Sequence, residues 1–133
     1  MIDKSHEIFT LVATKLREEF ENITVLGESV DIPSKFPCAT IDEVSNVPTE
    51  EDSRTLNKYA DVRYRVQVFS NSVNGKRAEA RRIYAVIDEV LQGINMKCKS
   101  YNPLPEIYNS KIYQINSSYE AIIHEDGTIY RKR

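Results

Sequence analysis

The segment from Tyr59 to Ile94 constrains the fold more than any other. Ala60, Val62, Tyr64, Val66 and Val68 alternate with Asp61, Arg63, Arg65 and Gln67. A period of two with one apolar face predicts a strand in a sheet buried on one side only. Asn71 to Gly75 then supplies turn formers. From Lys76 the period becomes helical: Ala80, Ile83, Ile87, Leu91 and Ile94 share a stripe, with Tyr84 and Val90 at its edges. A strand that feeds such a helix predicts a sheet with helix on one face and water, or another chain, on the other.

The remaining elements follow by the same reasoning. Ser5 to Asn22 reads as a first helix with Phe9, Val12, Ala13, Leu16 and Phe20 on its apolar stripe, joined by Ile8 and Leu11. Asp3 or Ser5 can cap its start. Ile23 to Leu26, ending at Gly27, reads as a short strand. Pro33 and Pro37 make the segment from Asp31 to Pro37 a loop. Cys38 to Val47 reads as a strand with Ala39 and Ile41 on one face and Thr40 and Asp42 on the other. Pro48 to Asn57 is a polar loop. Helix two spans Lys76 to Ile94, with Gly93 as its stop signal. Met96 to Ser100 is a short strand, broken by Asn102-Pro103-Leu104-Pro105. Lys111 to His124 is extended, Asp126-Gly127 marks a hairpin, and Thr128 to Arg131 pairs back. The predicted fold class is α+β: a mostly antiparallel β-sheet with two amphipathic helices packed on one face, in the order α-β-β-β-α-β-β-β. Its 133 residues suit one domain, residues 1–133.

Composition narrows the function classes. Eighteen basic against twenty acidic residues leave a formal charge of -2, so no bulk field drives the chain onto nucleic acid or anionic lipid. No apolar run approaches the roughly 20 residues of a membrane span. The start, Met1-Ile2-Asp3-Lys4-Ser5-His6-Glu7, lacks a signal-peptide layout, so the expectation is a mature chain that begins here and stays in the cytosol. Cys38 and Cys98 are far apart among strand-like residues, which predicts two buried free thiols in a reducing compartment.

Reaction chemistry is sparse. His6, Cys38, Cys98 and His124 stand apart, with no C-x-x-C or H-x-x-x-H, so no metal site is expected. Gly27, Gly75, Gly93 and Gly127 are too dispersed for a phosphate cradle, so no cofactor is expected either. The element order is shared with metal-dependent nucleases, which use an acid on one strand and an acid-x-Lys pair on the next. Asp42 or Asp61 suits the first role, but no Asp or Glu is followed two positions later by Lys. Asp61-Val62-Arg63 comes nearest, and Arg is no equivalent substitute. The expectation is that the chain is not an enzyme.

Its charge pattern is more informative. Lys76, Arg77, Arg81 and Arg82 crowd the start of helix two, where cations oppose the macrodipole by roughly 0.3–1 kcal/mol each. Glu50, Glu51 and Asp52 are the obvious compensation, from the same chain or a neighbour. Glu50, Glu51, Asp52, Arg54, Arg63, Arg65, Gln67, Lys76, Arg77 and Arg81 are therefore the candidate interface residues. An equally simple reading leaves both segments as independent solvated loops. A nucleic-acid-binding or nuclease-like domain is the alternative function, since Arg131-Lys132-Arg133 and eight tyrosines add cations and stacking surfaces.

Several of these segments carry a resemblance. Phe36-Pro37-Cys38-Ala39-Thr40-Ile41 enters a strand, a polar loop follows, and the Tyr59–Ser70 strand closes on Ser70-Asn71-Ser72. Gly75-Lys76-Arg77-Ala78-Glu79-Ala80 then opens the second helix, and a pair of strands ends the chain. This layout resembles the tail terminator and tail-to-head joining proteins of long-tailed bacteriophages, also called tail completion or minor capsid proteins. The resemblance implies a structural, non-enzymatic virion component. It implies a ring, typically of six subunits, that caps the tail tube and meets the head connector or stopper protein. DNA would pass through its channel without sequence-specific binding, and no membrane is involved. The implied location is the tail or neck of a virion, with assembly in the host cytoplasm. The loop between Val47 and Asn57 is expected to dock on the tube.

Overall fold

The structure, a computed structural model, describes residues 2–49, 59–107 and 111–132, and of residues 105–107 the backbone alone. Its elements run α1 (Ser5–Glu19), β1 (Thr24–Leu26), β2 (Cys38–Thr49), β3 (Tyr59–Ser70), α2 (Lys76–Gly93), β4 (Lys97–Ile107), β5 (Ile112–His124) and β6 (Ile129–Tyr130). The six strands form one sheet in the order β1-β2-β3-β5-β4, with β6 beside β5. Every pairing is antiparallel except β1 with β2, which is parallel. The α+β class and the element order expected from the sequence are both present.

Periodicity explains the core. Val62, Tyr64, Val66 and Val68 of β3 are buried, and across the register Ala121, Tyr119 and Ile115 of β5 are buried beside them. Ala39 and Ile41 of β2 extend the same face. Ile8, Val12, Ala13 and Leu16 of α1 and Ala80, Ile83, Ile87 and Leu91 of α2 cover it. The stripe predicted for α1 departs at one position: Leu11 is 49% exposed. The helix also stops three residues before Asn22, because Phe20 turns to extended backbone (φ -132°, ψ 118°) and packs its ring on the core. Its N-cap is Lys4, not Asp3 or Ser5, and carries no side-chain cap; the neighbouring Asp3 carboxylate accepts the Ser5 amide at 2.9 Å and the Ser5 hydroxyl at 2.6 Å.

Three further expectations change. Gly93 is still helical, and it is Asn95, in the left-handed region at φ 70°, that reverses the chain. The amides of Asn95 and Met96 then bond back to the carbonyls of Gln92 and Leu91 at 3.1 and 3.0 Å. β4 continues through Pro103 and Pro105 instead of ending at Ser100, with its register broken between Leu104 and Ile107; it is an edge strand, where prolines and bulges are tolerated. Finally, the second face of the sheet is not wet throughout. Phe69, Cys38 and Ile112 are buried there beneath Val30, Phe36 and Leu26, so the segment after β1 folds back over one end of it. Burial in that small core pushes the Cys38 thiol up to about 11, whereas Cys98 is only partly buried.

Candidate assembly surfaces

Arg63, Arg65 and Gln67 lie on the face of β3 opposite the helices, as the alternation requires. Their surroundings differ. Gln67 is 7% exposed and fully engaged: its side-chain oxygen accepts the Val30 amide and the Thr40 hydroxyl, both at 2.9 Å, and its amide donates to the Val30 carbonyl. It fastens the segment after β1. Arg65 is exposed and borders an open polar depression with Ser100, Asn102, Asn116 and Ser118. Arg63 belongs to a charged cluster around Glu120, which is 7% exposed and faces Arg63 at 3.9 Å, Lys99 at 3.5 Å and Lys132 at 3.7 Å. Lys132 also donates to Asp61 at 2.9 Å, and that hydrogen bond is the main cause of its raised pKa. Arg131 donates to the Met96 carbonyl at 3.3 Å. Of the terminal cations that the sequence offered for nucleic acid, Arg131 and Lys132 are thus held by acceptors of the fold itself, and Arg133 lies outside the described residues.

Helix two keeps its basic start in the open. Arg77, Arg81 and Arg82 are exposed and Lys76 is partly so; among the described residues none of the four forms an ion pair. Glu79, in the first turn, instead accepts the Ser70 hydroxyl at 2.6 Å. Glu50, Glu51, Asp52 and Arg54 lie outside the described residues, as does the pairing expected between that run and the helix.

Two arrangements lay outside the sequence reading. The first is a polar seam between α2 and the sheet. The Tyr119 hydroxyl donates to Asp88 at 2.5 Å, and the Tyr84 hydroxyl bonds those of Tyr119 and Ser117 at 2.7 and 2.8 Å. Burial dominates in raising both tyrosines, Tyr84 to about 12. The second is a hollow of about 490 Å³ where the start of α1 meets β2 and the residues after β1. Glu28, Asp42, Glu43, His6, Phe9 and Tyr64 border it. Asp42 is partly used, accepting the Ser29 hydroxyl at 2.9 Å. Burial, and secondarily Asp3, lifts the Glu43 carboxyl above its usual range, against a hydrogen bond from Asn46. Tyr64 is 1% exposed, and among the described residues its hydroxyl is the one buried side-chain polar atom without a hydrogen-bond partner. One signal for this hollow was legible: Glu43 follows Ala39 and Ile41 at a spacing of two, a carboxylate in phase with the core.

Among the described residues no group of three or more His, Cys, Asp or Glu is placed to hold a metal ion. No helix of the described residues is long and apolar enough to cross a membrane. His6 is exposed on α1, and His124 ends β5 beside the turn, with Nδ1 at 3.0 Å from Asp126.

Comparison with known proteins places the architecture. No protein-family model matches the chain. No curated protein matches it either. Among solved structures, a chain described as "Virion of native gene transfer agent (GTA) particle" is similar in fold, with a TM-score of 0.52. The match covers 85% of this chain and 81% of that chain at 11% identity.

Proposed function

We propose that this chain is a structural virion-assembly protein, a ring-forming tail terminator or head–tail joining protein of a phage or phage-like particle. The observation that carries the proposal is the fold likeness to a chain of a gene transfer agent virion, which spans most of both chains. The layout of the sequence resembles the same class of protein. The surfaces suit the role. A closed ring needs two different patches on each subunit, and here an exposed basic helix start and a charged sheet face occupy different sides. Its proposed partners are copies of itself, six per ring, then the tail tube protein and the head connector. DNA would traverse the channel without being read, and the chain would act by contact, not by catalysis.

Adding purified protein to tails assembled without it tests the reading. Tails of uniform length, each carrying the protein at one end, are expected in electron micrographs. A monomer that ignores tails and binds DNA with a steep salt dependence would instead favour a nucleic-acid-binding domain.

A further inference from the structure

We infer that the hollow beside Tyr64 is a socket for a cationic side chain, supplied by the basic start of α2 in a neighbouring copy of this chain. The inference rests on the ring reading and names the contact that would close the ring.

Three observations converge. First, the hollow is acidic and holds no salt bridge: Asp42 accepts from Ser29 and Glu43 from Asn46, but among the described residues no lysine or arginine forms an ion pair with Glu28, Asp42 or Glu43. Second, it contains an unmet acceptor. The Tyr64 side chain borders the hollow, is 1% exposed, and carries a hydroxyl with no partner. That hydroxyl lies near Glu43 and Asp3, whose charges add to burial in raising its pKa. An unpaired buried hydroxyl is an unfavourable feature in an isolated chain, and an incoming N–H donor would relieve it. Third, the complementary group sits on the opposite edge of the subunit. Tyr84 and Asp88 of α2 face β4 and β5, through Cys98, Ser117 and Tyr119. Arg77 and Arg81 precede them by about two helical turns and so share that flank. The hollow lies on the β1–β2 side, at the other end of the strand order. A socket on one edge and a cation on the other form a heterologous pair that propagates from copy to copy until the ring closes. It also gives the cations at the helix start, which oppose the macrodipole, a use.

Charge-swapped variants of the full chain test this. One is Glu28→Lys with Glu43→Lys; the other is Arg77→Glu with Arg81→Glu. Assembly is followed by sedimentation velocity at low ionic strength, with circular dichroism to verify folding. Each variant alone is expected to need at least about tenfold more protein than wild type to assemble. An equimolar mixture, in which each socket again meets an opposite charge, is expected to recover most of that loss. Tyr64→Phe, which keeps the core filled, is expected to weaken assembly by about threefold to tenfold. Several results would overturn the contact. If wild type assembles and every variant assembles equally well, the ring reading survives and the socket does not. If the socket variant forms normal rings but no longer attaches to tails, the occupant is another virion protein. If wild type fails to assemble even on tail tubes, the ring reading falls and the socket falls with it.

Discussion

Replacing Tyr64 with Phe removes a single oxygen and should make the isolated chain more stable. The ring is 1% exposed and stays in place, so no cavity opens. What disappears is a hydroxyl out of water and without a partner. Such a group costs about 1–3 kcal/mol, of which some returns as lost dispersion contacts, leaving a gain of about 1 kcal/mol. For a domain of 133 residues that gain raises Tm by about 3–4 °C. The matched control is Tyr119→Phe, the same chemical change at a hydroxyl bonded to Asp88 and Tyr84. It should cost about 1–2 kcal/mol. Urea unfolding at high ionic strength, where charge-driven association is screened, measures both without interference from assembly. Opposite signs are expected, with unchanged m. If Tyr64→Phe destabilised as much as Tyr119→Phe, the Tyr64 hydroxyl would have a partner within the chain, and the unmet acceptor would be lost as an argument.

Other consequences are simpler. Leu91→Ala, at a fully buried position on the core face of α2, should cost about 3 kcal/mol in urea unfolding; a cost below about 1 kcal/mol would mean the helix is not seated on the sheet. Asp126 is held at about 2, first by the Thr128 amide, so its contribution is present above the ordinary carboxylate pKa and is lost as pH falls through about 2. Asp126→Asn should therefore be less stable than wild type at neutral pH and converge with it in strong acid; a gap that persists in acid would contradict the turn geometry. Burial of Cys38 predicts that thiol reagents modify Cys98 well before Cys38 in the folded chain, and mass mapping that found the reverse order would show the small second core to be open.

How much was legible depended on whether a feature is local. The stripes of α1 and α2 and the alternation of β3 were readable because each apolar residue answers to one neighbouring layer. Edge status was not readable, so Pro103 and Pro105 looked like strand breakers when they occupy the outer strand of the sheet. The Phe69–Cys38–Ile112 core depends on a chain return across many residues, and nothing local in the sequence announces it. Of the candidate interface residues, Arg77 and Arg81 are exposed, whereas Gln67 is occupied in binding Val30 and Thr40. The hollow gathers α1, β2 and the residues after β1, and its one sequence trace was Glu43 in a core phase.

Imaging purified protein bound to tail tubes measures the central claim most directly, by counting the copies and locating them. A closed ring of fixed copy number at one end of each tube is the predicted result, with the acidic hollow of one subunit against the basic helix of the next. Protein scattered along the tube wall, or single copies bound without touching one another, would contradict it.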